Sequence, residues 1–217
     1  MNAALLAAAQ QYAKQQLLTG LEPAHGRYRY THSLRVAELG RRIARAEGLD
    51  EEMLVLACLL HDVGYARCKT EADYIDHGRL SAEMAAEFLR EQGYDTAKAE
   101  SVCYGIRIHT LEEEKHPRPA TTLENTVGDA DNIDRFDAYR LYEGLMRDKL
   151  DALTCAEIRQ LAARRADRLG QLTDWPFATE TAAALWREKL ARNQAYYNDL
   201  RAQMDVPLAW DPQPETL

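Results

Sequence analysis

Residues Cys58–Lys69 read CLLHDVGYARCK, and this stretch decides how the fold is interpreted. The residues that lead into it, DEEMLVLACLL, offer Asp50 as a helix N-cap and continue as an apolar run, which predicts a buried helix ending at His61 and Asp62. A core helix has no structural need for an imidazole beside a carboxylate at its inner end. Two interpretations remain at this point: an ordinary helix stop with Gly64 as its left-handed cap, or a metal site.

The composition predicts an all-α protein. The 217 residues are 46% hydrophobic and 29% charged, as in globular proteins, and alanine, leucine, glutamate and arginine dominate while valine and isoleucine are few. The length suits one α-helical domain over residues 1–217. The sequence contains no repeat and no obvious linker.

The net charge of −8 argues against partners that are polyanions. Duplex nucleic acid and anionic membranes call for a basic surface, which this composition does not provide. A small anionic substrate would need a local positive centre, and a divalent metal ion supplies one.

Cysteine use and the N-terminal segment predict a cytoplasmic protein. The four cysteines have no CxxC spacing, so no disulfide framework is expected and a reducing compartment is the default. The opening MNAALLAAAQQYAKQQLL has no basic region, and glutamines interrupt its apolar patch, so we expect a first amphipathic helix and neither a signal peptide nor a membrane span.

Apolar periodicity and helix stop signals divide the rest of the chain into helices and loops. In the first half of the chain, a helix is predicted from Arg29 to a stop at Gly48, a loop from Val63 to Ile75, a helix capped by Asp76 and closed by Gly93, and a helix capped by Asp95 that continues through His109. A loop with Pro117 and Pro119 follows, and then one helix spanning Leu123–Met146. Two further helices are predicted over 154–170 and 178–204, before an extended tail from Val206.

Four of the six histidines fall at or near ends of these predicted helices. His32 and His77 are expected in first turns, and His61 and His109 in last turns. In an up-and-down bundle the end of one helix and the start of the next share a pole, so His61, Asp62 and His77 should converge. Imidazole and carboxylate donors without thiolate are typical of a catalytic site for manganese, iron, cobalt, nickel or zinc. With Asp131 the candidate set reaches six, too many for one open site, which predicts two ions bridged by Asp62.

The order His32, His61-Asp62, Asp131 resembles the pattern of the HD superfamily of metal-dependent phosphohydrolases. The segments RYTH (29–32), HGRLSAEMA (77–85), IRIHT (106–110) and GDADNIDRFDA (128–138) look like those that accompany this pattern in bacterial members. The resemblance covers roughly residues 27–140. It implies an HD-type helical bundle, selects Asp131 over Asp129, and assigns His77 and His109 to the second ion of the binuclear branches, which include symmetrical diadenosine tetraphosphate hydrolases.

The resemblance implies hydrolysis of a small phosphorylated substrate, such as a nucleotide or dinucleotide, by metal-activated water. Asp62 and His61 would then be catalytic. Arg29 and Lys69 are the candidate substrate-binding residues, and Tyr65 could donate a hydrogen bond to a phosphate. Two alternatives stay open: a di-iron oxygenase, because some HD relatives use a similar ligand set with dioxygen, and a nucleotide-binding or sensing module without catalysis.

Several residues have simpler interpretations. His25 and His116 lie in loops and are expected at the surface, while Asp129, Asp134 and Asp137 suggest a solvated helix face, with Asp134 also a candidate partner for a ligand. Residues 141–217 form a C-terminal helical extension. It could cover the site, provide a homodimer surface or complete the core.

Overall fold

The computed structural model describes residues 1–111 and 115–207, and within these residues it contains helices and turns but no strand. The prediction of an all-α fold is therefore confirmed. The chain divides into two compact units: unit 1 comprises residues 1–134 and 177–182, and unit 2 comprises residues 135–176 and 183–217. A single domain over 1–217, with an HD-type core at 27–140 and an extension at 141–217, stays a prediction.

Unit 1 is a bundle of seven helices within the described residues. They are α1 Ala3–Gly20, α2 Pro23–Glu47, α3 Glu51–Leu60, α4 Glu71–Ile75, α5 His77–Glu91, α6 Thr96–Ile108 and α7 Thr122–Asp134. Helix α2 packs against α1, α3 and α7, and α6 packs against α3, α5 and α7. Every residue of α3 from Leu54 to Leu60 is buried, so this helix forms the centre of the unit.

Several predicted helix ends are confirmed. The side chain of Asp50 accepts a hydrogen bond from the Met53 N–H at the start of α3, and Asp95 caps α6 in the same way. Gly48 ends α2 with φ of 68°, a left-handed conformation that glycine adopts without steric cost. The prediction for Asp76 is wrong in detail: its side chain makes no cap hydrogen bond and instead accepts one from the Arg79 guanidinium.

Three predicted segments differ from the structure. Helix α2 begins at Pro23, since Glu22 accepts hydrogen bonds from two N–H groups of the first turn and proline is suited to the first helical position. The loop predicted after Asp62 contains a 3-10 helix, Val63–Arg67, and the short helix α4. The single helix predicted over Leu123–Met146 is interrupted, because Asp137 caps a new helix at Ala138.

Gly64 is required by close packing and not by a left-handed turn. Only Gly48 and Gly93 among the described glycines have positive φ, so the interpretation of Gly64 as a left-handed cap is wrong. A Cβ at Gly64 would lie 2.5 Å from the backbone nitrogen of Ser81 and 2.6 Å from the carbonyl oxygen of His77. The missing side chain therefore lets the turn after Asp62 pack directly on α5.

Unit 2 contains the other helices of the described chain: α8 Ala138–Asp148, α9 Cys155–Gly170 and α10 Glu180–Gln203, whose first residues belong to unit 1. Its core includes an edge-to-face contact between Phe136 and Trp186, with ring centroids 4.7 Å apart. Asn193 donates a hydrogen bond to the Phe136 carbonyl oxygen.

The predicted tail from Val206 lies mostly in residues 208–217, outside the described residues. Among the described helices, none has the length and apolar character of a bilayer span.

Candidate metal centre

The six predicted ligands converge at one end of the unit 1 bundle. His61 caps the C-terminus of α3, Asp62 follows it, and His77 is the first residue of α5. His109 caps the C-terminus of α6, and Asp131 lies in α7. His32 belongs to the interior of α2, not to a first turn as predicted, because that helix starts at Pro23.

The side chains form three overlapping clusters, in each of which the candidate donor atoms lie within 4.8 Å of one another. The clusters are His32–His61–Asp62, His61–His109–Asp131 and Asp62–His77–His109. His61, Asp62 and His109 each belong to two of these clusters, so these three residues link the whole arrangement.

The two oxygens of Asp62 face different histidines. Oδ1 lies 3.2 Å from His77 Nε2, 3.5 Å from His61 Nε2 and 3.9 Å from His109 Nε2. Oδ2 lies 3.6 Å from His32 Nε2, while His32 Nε2 also lies 3.0 Å from Asp131 Oδ1. A carboxylate that presents one oxygen to each group of donors has the geometry for bridging two cations.

Each of the four histidines is oriented through its Nδ1 atom. The Nδ1 of His61, His77 and His109 lies 2.8, 2.8 and 2.6 Å from the carbonyl oxygen three residues earlier in the chain. Because a carbonyl oxygen only accepts hydrogen bonds, these Nδ1 atoms carry the proton and each Nε2 keeps a lone pair directed toward the cluster. This outer hydrogen bond is typical of metal-ligating histidines.

The Nε2 atom of His109 tests whether these residues fit a metal ion. It is buried and has no hydrogen-bond partner among the described residues. Burial and the nearby imidazoles of His61 and His77 lower the pKa of His109 to about 4, which favours the neutral, ligating form. A buried nitrogen lone pair without a donor, surrounded by imidazole and carboxylate groups, matches the donors that divalent transition metals take. The residues present therefore fit such an ion.

His32 is held from its other side by Asp134. Its Nδ1 lies 2.8 Å from Asp134 Oδ2, and both Asp134 oxygens accept hydrogen bonds from the Arg35 guanidinium, at 2.8 and 2.9 Å. Burial alone would lower the pKa of His32, but its hydrogen bonds to Asp131 and Asp134 outweigh burial and raise that pKa to about 9.

The acidic ligands are ionised despite their burial. Burial opposes ionisation of Asp62, yet its close contacts with His61, His77 and the Arg29 guanidinium hold its pKa well below the usual range. The same competition operates at Asp131, where the hydrogen bond to His32 lowers the pKa most. Burial lowers the pKa of His61. The cluster thus combines carboxylates with imidazoles that are ready to ligate.

Arg29, a predicted substrate-binding residue, lies at the edge of this cluster. Its Nη1 donates to Asp62 Oδ2 at 3.0 Å, and its guanidinium lies 3.7 Å from the ring centroid of Tyr65. The Tyr65 ring also lies 4.2 Å from that of His77. His25, which was expected at the surface, is half-buried. Its Nε2 accepts a hydrogen bond from Arg29 Nε at 3.2 Å. The sequence spacing indicates this contact, because His25 lies four residues before Arg29 near the start of α2.

Other predicted residues lie apart from the cluster. Lys69 is exposed, and its backbone N–H donates to Asp73, so its role toward substrate stays a prediction. Among the described residues, half-buried His116 forms no hydrogen bond or ion pair with the six candidates. Asp129 and Asp134 are buried, so a solvated helix face is wrong for both. Asp129 accepts from the Ala178 N–H, away from the ligands, while Asp137 caps α8 in unit 2.

Replacing Asp134 by Asn should weaken metal binding by about 10–100-fold, the usual effect of losing a partner that orients a ligand. Asn retains the shape of Asp134 but lacks the charge that holds His32 and Arg35. Titration of metal-free protein with Mn²⁺ measures the effect. Asp137→Asn, in the same acidic run, is the matched control and should bind the metal like the parent chain. Equal affinities for the two variants would contradict an orienting role of Asp134.

Comparison with known proteins gives the same assignment for this region. Residues 29–136 match the family model of the HD domain. Over 92 residues the chain is 34% identical to a deoxyguanosinetriphosphate triphosphohydrolase-like protein of Bradyrhizobium sp. (strain ORS 278), which covers 37% of this chain and 23% of that protein. A protein of the same description from Azorhizobium caulinodans is 46% identical over 94 residues, 38% of this chain and 24% of the relative. The chain thus spans about a quarter of the length of these curated relatives.

A solved structure extends the likeness to most of the chain. The crystal structure of a predicted HD superfamily hydrolase from an uncultured Thermotogales bacterium superposes with a TM-score of 0.59, covering 89% of this chain and 91% of that one at 21% identity. At this identity the match concerns the fold. The helical architecture, the region that the family model matches and the order of the histidine and aspartate residues all point to one family. The chain belongs to the HD domain family.

Proposed function

We propose that this protein is a metal-dependent phosphohydrolase that binds two divalent cations and acts on a small phosphorylated substrate. The observation that carries the proposal is the position of Asp62, whose Oδ1 faces His61, His77 and His109 while its Oδ2 faces His32. One cation would be held by His32, His61, Asp62 and Asp131, and the other by Asp62, His77 and His109. When bound, such ions activate a water molecule for attack and offset negative charge on phosphoryl oxygens.

The surrounding residues would keep this site in its working geometry. The carbonyl oxygens next to His61, His77 and His109 fix the imidazole planes, and Asp134 does the same for His32. Asp62 and His61 are the proposed catalytic residues because both contact the reacting centre through the cations. Arg29 places a positive charge beside Asp62, where it could bind a phosphoryl oxygen of the substrate.

A nucleotide is the substrate class that we propose to test first. The curated relatives described above carry the name deoxyguanosinetriphosphate triphosphohydrolase-like protein, which favours a nucleoside triphosphate as the first substrate to test. Because the chain spans only about a quarter of those proteins, the nucleoside and the cleaved bond are open choices within this class.

The decisive screen uses full-length protein loaded with Mn²⁺ and a panel of deoxynucleoside triphosphates, dinucleoside polyphosphates, cyclic nucleotides and phosphomonoesters. We expect turnover in at least one class, loss of turnover with EDTA, and no turnover by His61→Ala. His116→Ala should keep both metal and activity. Absence of turnover in every class at full metal loading would overturn the proposal. Dioxygen consumption by an anaerobically prepared iron form would instead favour the oxygenase alternative.

Replacing His77 by Ala separates the two proposed ions. His77 contacts Asp62 Oδ1 but belongs only to the cluster with Asp62 and His109, so its loss should remove one ion and leave the other. We expect the metal content to fall from two ions per chain to one, as measured by elemental analysis after gel filtration. A variant that still binds two ions, or that loses both while remaining folded by circular dichroism, would contradict this division of ligands.

A further inference from the structure

Unit 2 contains a pocket of about 210 Å³ whose lining is dominated by arginine. The pocket is framed by one face each of α8, α9 and α10, together with the segment before α8. Its charged lining residues are Arg135, Arg140, Arg147, Arg165 and Arg168. The sequence spacing on α8 explains part of this convergence, since residues 140, 144 and 147 repeat at helical intervals and lie on one face.

The lining contains five guanidinium groups and no carboxylate, in a chain whose net charge is −8. Two of the arginines pair with acids outside the lining: Arg165 with Asp148 at 2.8 Å and Arg140 with Glu143 at 2.7 Å. Among the described residues, Arg147 and Arg168 have no such acidic partner. Arg135, Arg147 and Arg168 are exposed, so solvent screens much of their repulsion, but a lining of five cations without a carboxylate still favours an anion.

Hydrogen bonding and space within the pocket also indicate a ligand. The Nε of Arg165 is buried and has no acceptor among the described residues, and the Oδ1 of Asn193, whose side chain is 4% exposed, has no donor. Buried polar groups are normally paired, so the Arg165 Nε points to a missing acceptor, which an anion supplies, whereas the Asn193 oxygen needs a donor and does not bear on an anion. Gly144 contributes an open wall to the pocket, because a Cβ there would have no neighbour within 4 Å.

We propose that this arginine pocket binds an oligophosphate group, carried by a nucleotide or present as an inorganic chain. Guanidinium forks match the paired oxygens of phosphate and carboxylate groups, and five cations around one cavity suit the several negative charges of an oligophosphate. A volume of about 210 Å³ gives room for a di- or triphosphate group. None of the lining residues is a predicted metal ligand, and all of them belong to unit 2.

Calorimetric titration of the full-length protein with sodium triphosphate tests this proposal directly. The titration is done on protein treated with EDTA, so that cations at the metal centre do not bind the phosphate. We expect one site per chain and an affinity that falls with added salt. Arg147→Gln and Arg168→Gln should each weaken binding about tenfold or more, the effect of losing one charge-assisted hydrogen bond. Circular dichroism verifies that each variant is folded.

Arg164→Gln is the matched control, because Arg164 is an exposed arginine on α9 that does not line the pocket. It should bind triphosphate within about twofold of the parent chain. No binding by the folded parent chain, or equal weakening by Arg164→Gln, would overturn the proposal. A parallel titration with a nucleoside triphosphate separates the two sources: equal affinities indicate an inorganic chain, and tighter nucleotide binding indicates contacts to the nucleoside. Neither outcome depends on the hydrolase activity proposed for unit 1.

Discussion

Asp62→Asn should abolish turnover and remove bound metal from the protein. Asp62 contributes an oxygen to both proposed cation sites, so its amide analogue weakens both at once, and the loss should exceed the roughly 100-fold upper effect of an orienting partner. Asn keeps the volume of the side chain and can still accept a hydrogen bond from Arg29, which preserves packing. Elemental analysis and the nucleotide panel measure the two losses on the same preparation.

Asp129→Asn is the matched control for this experiment. Asp129 is a buried aspartate of α7, but its carboxylate accepts from the Ala178 N–H, a bond that an asparagine oxygen can also accept. The control should therefore keep its metal and its activity. If Asp62→Asn retained two ions per chain, or if Asp129→Asn lost them equally, the assignment of ligands would be wrong.

Gly64→Ala should lower the free energy of unfolding by about 3 kcal/mol, the upper part of the usual range for overpacking. The added Cβ would lie 2.5 Å from the Ser81 nitrogen, and backbone atoms there cannot move as a flexible side chain could. For a chain of this size the change corresponds to a melting temperature lower by about 6–12 °C. The same displacement separates His77 from Asp62, so metal affinity should fall as well.

Gly144→Ala provides the comparison for Gly64→Ala. Gly144 lies within α8, and a Cβ added there would have no neighbouring atom within 4 Å, so alanine should be neutral or stabilise the helix by up to about 1 kcal/mol. Thermal unfolding followed by circular dichroism compares the two variants. Equal melting temperatures for Gly64→Ala and the parent chain would contradict the close packing of the turn against α5.

Much of the fold could be predicted because its signals are local. Asp50 and Asp95 are strong N-caps, Gly48 is a left-handed helix end, and the apolar run before His61 has the composition of a core helix. The early start of α2 was missed although Pro23 is a recognisable first helical residue. The break before Ala138 had no proline or glycine to mark it, and it depends on the cap that Asp137 forms.

The candidate site was predictable in its members but not in its details. Helix order brings His61, Asp62 and His77 together, whereas the choice of Asp131 depended on the family resemblance. The carbonyl contacts of three histidines depend on the exact geometry of helix ends, which residue types alone do not specify. The pairing of Arg29 with Asp62 joins residues 33 positions apart. Its geometry follows only from the packing of α2 against α3.

The arginine pocket could not be predicted for a different reason. Arg147 and Arg168 lie on separate helices, and each alone is most often a surface charge. Only the packing of α8, α9 and α10 within unit 2 collects them around one cavity. Nothing in the spacing of the arginines along the sequence distinguishes this pocket from a solvated face.

Anomalous diffraction from crystals of the manganese-loaded protein tests the central claim most directly. We expect two anomalous peaks on either side of the Asp62 carboxylate, each within coordination distance of its ligand atoms. One peak should contact His32 and Asp131, and the other His77 and His109. A single peak at full metal loading, or peaks remote from Asp62, would contradict a binuclear centre bridged by this residue.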